Sequence, residues 1–242
     1  MASDPISVRG IILRSREFKD KDRMVTVLTA DRGIMTICVK GVASKNSKNA
    51  FVSVPFTLCD LVINPSGNFY YLKEGSIIES NAGIMGSLEA MAVAGHIANI
   101  LNESILQTDN SHMAYELCVY AFYALGKYPQ RYAEVYCAFN WRLLIELGFA
   151  SVYEPEEVMQ YYYISTKDSR LSSFSQQGLF KMSSPGLKAL NFFASRSPSE
   201  VFNVTLNEVL QEELRRFTTQ YLQNQFEYEI KDPIKQLEIR LS

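Results

Sequence analysis

Basic side chains clustered near the amino terminus are the residues of this chain best suited to bind a ligand, and the ligand they fit is phosphate. Three of them stand in the run Lys40–Lys48, Lys-Gly-Val-Ala-Ser-Lys-Asn-Ser-Lys, which has almost no apolar side chain to anchor it in a core. Lysine and arginine bind phosphate through charge, without reading sequence. The candidate phosphate contacts are Arg14, Arg23, Lys40, Lys45 and Lys48, followed by Arg9, Arg16, Lys19 and Lys21.

Charge is distributed unevenly along the chain. Residues 1–50 carry ten Lys and Arg against five Asp and Glu, a net charge of +5, whereas the whole chain has a formal net charge of −2. The amino-terminal part therefore suits a polyanion, although the overall balance conceals this. Ordinary surface variation explains the same charge equally well unless the cations share one face.

Groups for catalysis are scarce. The only two histidines, His96 and His112, stand in or beside predicted helices, where a structural role is the simpler interpretation. The sequence lacks the glycine-rich phosphate-binding patterns, the H-E-x-x-H zinc pattern and the G-x-S-x-G nucleophile pattern. Asp20 and Asp22 alternate with lysines, which favours solvated charge over a metal site. We expect a protein that is not an enzyme and has no cofactor.

The cysteines predict neither a metal site nor a disulfide framework. They are scattered, without a C-x-x-C pair, and each stands in an apolar stretch, where a free cysteine behaves as a small hydrophobe. No segment approaches the roughly 18 apolar residues of a membrane span, and the start Met-Ala-Ser-Asp-Pro lacks a signal-peptide pattern. We expect a cytoplasmic protein. The four cysteines are Cys38, Cys59, Cys118 and Cys137.

Alternating apolar residues and turn signals predict an all-β unit from Ile6 to Ser80. A five-stranded unit of this size suggests a small barrel, and the oligonucleotide-binding (OB) barrel is the commonest five-stranded kind, although an SH3-like barrel fits the same count. We therefore predict an α+β protein with an OB-fold domain at 1–82 and a helical domain at 83–242. The predicted strands are residues 6–15, 24–30, 34–40, 54–64 and 69–80.

Beyond Gly86 the apolar period changes to that of helices. Three helices are predicted, ending near residues 107, 127 and 147, and the segment 149–183 breaks the pattern as an inserted β-hairpin. A further helix restarts with Ser184 as N-cap before Pro185. The final helix has Thr205 as its predicted N-cap, with Glu208 at the spacing of a capping box.

Several motifs occur in a distinctive order. Val8–Arg14, Val-Arg-Gly-Ile-Ile-Leu-Arg, precedes Asp20–Thr29, Gly33, Lys40-Gly41-Val42 and Pro55-Phe56. Later come Arg142–Phe149, Arg-Leu-Leu-Ile-Glu-Leu-Gly-Phe, and Ser184–Leu190, Ser-Pro-Gly-Leu-Lys-Ala-Leu. In this order and spacing they resemble the bacterial recombination mediator family RecO, over most of the chain and most strongly over residues 6–60.

The resemblance implies an amino-terminal OB barrel, a helical domain, binding of single- and double-stranded DNA, and annealing of complementary strands. It also implies partnership with RecR and with the carboxyl-terminal tail of single-stranded DNA-binding protein, which together help to load RecA onto gapped DNA. With this role we expect a nucleoid-associated location. Many members carry a four-cysteine zinc site after the third helix of the helical domain. Residues 149–183 contain no cysteine, so we expect a metal-free hairpin at the position of that site.

The acidic, apolar-ended tail of the single-stranded DNA-binding protein requires an apolar groove with a cation. Arg131 and Arg142 on the predicted third helix are the candidates, although a surface or helix-capping role explains each of them as well. A rival interpretation of the chain is a protein-interaction scaffold whose OB or SH3-like barrel docks a protein and whose lysines only confer solubility. That rival predicts DNA binding that is weak and insensitive to removal of the basic loop.

Overall fold

The chain divides into two compact units, Met1–Pro129 and Gln130–Ser242. The computed structural model describes residues 4–19, 21–42, 49–67, 69–104, 111–227 and 229–241. Within these ranges, no helix is both long and apolar enough to cross a membrane. The predicted division into an OB-fold domain at 1–82 and a helical domain at 83–242 stays a prediction.

A closed five-stranded barrel opens the first unit and confirms the predicted barrel. Its strands follow the order β1-β2-β3-β5-β4, with β3 parallel to β5 and the other pairs antiparallel. The strands are β1 (Ile6–Phe18), β2 (Asp22–Thr29), β3 (Gly33–Val39), β4 (Leu58–Ser66) and β5 (Phe69–Glu79).

Alternate β-branched and other apolar residues fill the barrel. Val25 and Val27 of β2 point inward with Met35, Ile37 and Val39 of β3, and all five are buried. Successive residues of a strand point to opposite faces, so the residues between them lie on the outside of the barrel. This alternation decides which polar side chains are available to a ligand.

The first strand changes faces part-way along its length. Ile12 lies in the barrel core opposite Val27, and the register then shifts between Ile12 and Arg14. The extra residue is a β-bulge, and it turns the following side chains to the other face. Upstream, Gly10 lets β1 pass close to β2, because a Cβ there would lie 2.3 Å from Val27 Cγ1.

Two helices complete the first unit, α1 (Leu88–Ser104) and α2 (Ser111–Lys127). They contact β1, and α2 also contacts β2 and β3, so they cover part of the barrel's outer surface. Outward-facing Ile11 and Leu28, which pair across β1 and β2, are fully buried as a result. The remaining outer surface of these strands is left for other contacts.

The second unit combines helices with a small sheet. Its fully buried Trp141 packs against the rings of Tyr153, Phe217 and Tyr221, at centroid distances of 5.8, 5.6 and 5.5 Å. The elements are α3 (Tyr132–Glu146), β6 (Tyr161–Ile164), β7 (Leu171–Ser172), β8 (Phe180–Ser183), α4 (Ser184–Ser195), α5 (Pro198–Val201), α6 (Glu208–Gln225) and α7 (Pro233–Leu241).

The predicted hairpin of the 149–183 segment is present as β6 and β7, and β8 adds a third strand in the order β7-β6-β8. Two predicted helix caps are wrong by one or two residues. Ser183, rather than Ser184, accepts the Gly186 N–H at 3.1 Å, and Asn207, rather than Thr205, accepts the Leu210 N–H at 2.9 Å. In each case the cap is the residue whose side-chain oxygen reaches a free amide of the first turn.

Candidate nucleic-acid interface

The β1 bulge places two arginines on the outer face of the barrel. Arg14 pairs with Thr26 of β2, which in turn pairs with Thr36 of β3, and all three lie on the face opposite the barrel core. Arg14 and Thr36 are exposed. Without the bulge, the spacing of two from core residue Ile12 would have turned Arg14 inward.

A second row runs across four strands on the same face. Arg16 pairs with Met24, Met24 with Cys38, and Cys38 with Tyr71 of β5. Neighbouring strands lie about 4.8 Å apart, so the row is about 14 Å wide. Met24 and Cys38 are buried in its floor, and exposed Arg16 lies at one end with half-buried Tyr71 at the other.

A cation and an aromatic ring lie together at the β5 end of the row. The Lys40 Nζ lies 4.6 Å from the centroid of the Tyr71 ring, over its face. Lys40 directly follows β3 and is exposed. A phosphate bound to Lys40 would therefore lie close to an aromatic surface on which a base can stack.

The β1–β2 turn closes this face on one side. The Asp22 carboxylate accepts the Gly41 N–H at 2.9 Å, which fixes the end of β3 to the start of β2. Exposed Lys19 places its Nζ 5.4 Å from the centroid of the Phe18 ring. We call the outer surface formed by Arg14, Arg16, Phe18, Lys19, Lys40 and Tyr71 the basic face.

Charged groups of this face act on the buried thiol of Cys38. Burial raises the pKa of Cys38, and the Asp22 carboxylate raises it further. The ammonium groups of Lys40 and Lys19 act on the same pKa in the opposite direction. Two lysines from different loops thus act on the same thiol, although 21 positions separate them in the sequence.

Two other candidate cations lie apart from the basic face. Arg9 binds Asp60 of β4 in a two-pronged contact, with its Nε and Nη2 donating at 2.8 and 3.1 Å. This hydrogen bond and charge raise the pKa of Arg9 and lower that of Asp60. Arg23 stands two residues before core residue Val25 and so lies on the core-facing side of β2. Its Nη2 is 3.7 Å from Glu17 Oε1. Their phosphate contacts stay predictions, as does that of exposed Lys21 in the β1–β2 turn.

Part of the predicted basic loop is outside the described residues. Lys45 and Lys48 both fall in 43–48, so the structure tests neither of them. Lys40, the first lysine of that run, is the one whose position is given.

Of the two candidate partner-binding arginines, Arg131 directly precedes the third helix and Arg142 lies within it. Arg131 ends a 3-10 helix, Pro129–Arg131, directly before α3. Arg142 uses its guanidinium within the unit, since Nη1 donates to the carbonyls of Ala194 and Arg196 at 2.6 and 2.7 Å and Nε donates to Glu146 at 2.7 Å. Binding of a partner by either arginine stays a prediction.

Arg142→Ala is expected to destabilise the second unit by about 2–3 kcal/mol, because it leaves the carbonyls at the end of α4 without a donor. The side chain is only 13% exposed, so water replaces it poorly. Urea unfolding followed by the fluorescence of Trp141, the only tryptophan, measures the loss. If the folded variant retains full affinity for an acidic tail peptide of single-stranded DNA-binding protein, Arg142 is not a contact for that peptide.

No group of three or more His, Cys, Asp or Glu side chains in the described ranges is arranged to hold a metal ion. The four cysteines are free and buried. Burial raises the pKa of Cys59 to about 12 and that of Cys118 well above its usual value, so both thiols stay protonated near neutral pH. They serve the packing of the first unit.

Sequence reasoning missed Tyr71. Phe56, which precedes β4 and follows the basic run in the sequence, is buried against Phe122 at a centroid distance of 5.0 Å and offers no stacking surface. Tyr71 becomes a neighbour of Lys40 only through the parallel pairing of β3 with β5. The sequence did contain one indication of this position. Tyr71 lies between Tyr70 and Leu72, which both pack against the barrel core, and Tyr71 packs with neither of them there.

Comparison with known proteins gives consistent matches over nearly the whole chain. The family model described as "Recombination protein O N terminal" matches residues 1–81, and "Recombination protein O C terminal" matches residues 85–233. A protein named DNA repair protein RecO from Acetivibrio thermocellus is 25% identical over 246 residues, covering 96% of this chain and 97% of its own. Proteins of the same name from Thermoanaerobacter sp. and Clostridium perfringens are 23% and 24% identical, covering 93% and 87% of this chain and 94% and 88% of their own.

Proposed function

The chain belongs to the recombination protein O family, and from this premise we propose that it acts in DNA repair and recombination as a non-catalytic mediator that binds DNA and anneals complementary strands. Its relatives carry the name DNA repair protein, which supports the general role. The observation that supports the finer proposal is the basic face, where cations from one strand and two loops share a surface with two aromatic rings. Such a face suits a single strand better than a small molecule.

In this proposal the cations of the basic face bind phosphates, and Tyr71 provides a surface for a base. Arg14 and Arg16 make no ion pair within the described residues, so their charges are not offset by a carboxylate there. Neutralising one strand lowers the repulsion that slows the approach of its complement. Base pairing then selects the sequence, and the protein requires no base-reading side chains.

We also propose, from family membership, that the chain works with RecR and with the carboxyl-terminal tail of single-stranded DNA-binding protein in loading RecA. Binding to double-stranded DNA and a cytoplasmic, nucleoid-associated location are part of the same proposal. These statements follow from the family and not from a contact in this chain.

The direct test is annealing of two complementary oligonucleotides that carry a donor and an acceptor dye. The protein is expected to accelerate duplex formation, and the acceleration should fall as salt rises, since counterion release weakens the phosphate contacts. A non-complementary pair controls for aggregation. A protein that binds neither strand above background at low salt would support the protein-interaction scaffold instead.

Tyr71→Ala is expected to weaken binding of a single-stranded oligonucleotide about tenfold, because stacking on an aromatic side chain contributes about 1–3 kcal/mol per base. The dependence of log affinity on log salt should stay unchanged, since no phosphate contact is lost. Fluorescence anisotropy over a salt series measures both quantities. Tyr71→Phe keeps the ring and is the matched control, and equal losses in the two variants would show that the hydroxyl, rather than stacking, is what matters.

A further inference from the structure

A phenylalanine in the left-handed region of backbone space lies just before barrel strand β4. Phe56, of the Pro55-Phe56 motif, has a φ of +70° and is buried. A bulky side chain is strained in this region, and such a conformation persists only where the surrounding structure holds it. The contacts of Phe56 therefore indicate what this strained conformation holds in place.

Phe56 and Thr57 bind both backbone polar groups of Ile12 in β1. The Phe56 N–H donates to Ile12 O at 2.7 Å, and the Ile12 N–H donates to Thr57 O at 3.0 Å. Strand β4 begins at Leu58, opposite Ile11. Within the described residues, β1 pairs beyond this point with β2 alone. We call Phe56 and Thr57 the clamp, because they are the last residues that hold β1 from the β4 side.

The clamp lies beside the β1 bulge. The register of β1 against β2 shifts between Ile12 and Arg14, directly after the clamped residue. Leu13, between them, is buried, and beyond it Arg14 and Arg16 belong to the basic face. A bulge redirects the side chains that follow it. By fixing Ile12 from the side opposite β2, the clamp fixes the point at which β1 changes face.

The side chain of Asn81 holds the clamp in its strained conformation. Its Nδ2 donates to Phe56 O at 2.8 Å in a buried position. Asn81 is itself buried and has a φ of +50°, which asparagine tolerates better than most residues. A buried carbonyl without a donor is costly, so this hydrogen bond stabilises the left-handed conformation of Phe56.

One face of α2 supports both partners of that hydrogen bond. The ring of Phe122 packs edge-on against the ring of Phe56, at a centroid distance of 5.0 Å. Four residues later, a Cβ at Gly126 would lie 2.9 Å from Asn81 Cα, so the helix backbone packs directly against Asn81. Residues four apart lie on the same face of a helix. Helix α2 is thus connected to the β1 bulge through Asn81 and Phe56.

We propose that Asn81 is a positioning residue for the basic face, which acts through Phe56 and the β1 bulge to hold Arg14 and Arg16 outward. Without the Asn81 amide, Phe56 relaxes toward an extended conformation and Ile12 loses the clamp. The two arginines then no longer point together from the basic face. The inference rests on the proposed binding of DNA, and it assigns a role in that binding to a buried residue that does not contact the strand.

Asn81→Gly removes the amide but keeps the net charge and tolerates the left-handed conformation, so it isolates the bond to Phe56. Affinity for a single-stranded oligonucleotide is expected to fall about tenfold, because two exposed charged contacts are weakened. The slope of log affinity against log salt should fall by about one unit, since each contact contributes about 0.7. Fluorescence anisotropy over a salt series measures both quantities.

A double-mutant cycle distinguishes positioning from a general loss of structure. In a variant that already carries Arg14→Ala and Arg16→Ala, Asn81→Gly should cause no further loss of affinity, because it acts through those two side chains. Phe122→Leu removes the ring contact but keeps an apolar side chain, and it should lower the affinity and the salt slope in the same direction as Asn81→Gly.

Amide hydrogen exchange tests the clamp without DNA. In Asn81→Gly the N–H groups of Ile12 and Phe56 should exchange about tenfold faster, whereas the amides of β3 should be unchanged, because the opening is local. Ile97→Val, at a fully buried position of α1, is the matched control for lost packing in the first unit. It should change oligonucleotide affinity by less than about twofold, since the substitution costs little and lies outside the clamp.

Unchanged exchange at Ile12 and Phe56 would overturn the clamp whether or not DNA binds. Full affinity of Asn81→Gly, a loss that adds to that of the two arginine substitutions, or an equal loss in Ile97→Val would overturn the positioning role. A wild type that binds no oligonucleotide would instead contradict the proposed function, and the exchange measurement would still decide whether Asn81 holds the clamp.

Discussion

Replacing Arg14, Arg16 and Lys40 together by alanine is expected to lower single-stranded DNA affinity about a hundredfold at low salt, on the basis of about 1 kcal/mol for each exposed charged contact. The slope of log affinity against log salt should fall by about two units, because each phosphate contact of a single strand contributes about 0.7. Fluorescence anisotropy of a labelled oligonucleotide over a salt series gives both values. The fold should persist, since Arg14, Arg16 and Lys40 are exposed.

The control is a second triple variant, Lys167→Ala, Arg170→Ala and Lys188→Ala, which removes the same charge from exposed positions of the second unit. It should change the affinity by less than about threefold, since none of the three side chains belongs to the basic face and exposed charges that make no phosphate contact are largely screened at physiological salt. If both triple variants lose affinity equally, net charge rather than the basic face accounts for binding. If neither variant loses affinity, the basic face is not the DNA site.

Arg215→Met is expected to destabilise the second unit by about 3–5 kcal/mol, because it leaves a buried carboxylate without its cation. Arg215 is 9% exposed, and its Nη1 donates to Asp232 Oδ2 at 2.7 Å. The side chain of Asp232 is 11% exposed, and its Oδ1 accepts the N–H groups of Ile234 and Lys235 at 3.0 and 3.1 Å, at the start of α7. Urea unfolding followed by Trp141 fluorescence measures the change.

The neighbouring position supplies the control for this prediction. Arg216→Met changes the same residue type at an exposed position of the same helix, and its stability should stay within about 0.5 kcal/mol of the wild type. A double-mutant cycle with Asp232→Asn isolates the pair, since the second substitution should cost much less once Arg215 is absent. Additive losses in the double variant would contradict the pairing.

Local patterns were enough to predict most elements of this protein, but not β8, α5 or α7. The alternating runs before Ser80 predicted five strands, and all five are present in the structure. The prediction works because a half-buried strand must alternate apolar and polar side chains. The change to helical spacing beyond Gly86 gave α1, α2 and α3 for the corresponding reason. Helix caps were less reliable: Ser183 and Ser184 are adjacent and chemically equivalent, and only the position of the first-turn amides distinguishes them.

The sequence by itself determined that the amino-terminal part is basic, that it forms a five-stranded barrel, and that the 149–183 segment has no cysteine for a zinc site. Composition and periodicity are local properties, and they are read directly from neighbouring residues. The tertiary structure alone decided which cations share a face. The β1 bulge turns Arg14 and Arg16 outward, whereas Arg9 pairs with Asp60 on another strand.

The tertiary structure also decided the contacts of Tyr71 and Arg142. Tyr71 lies next to Lys40 because β5 runs parallel to β3, and Arg142 lies at the end of α4 because α3 and α4 pack together. Each of these contacts joins residues more than 30 positions apart. Such pairings are set by the closure of the barrel and the packing of the helices, which no window of the sequence contains.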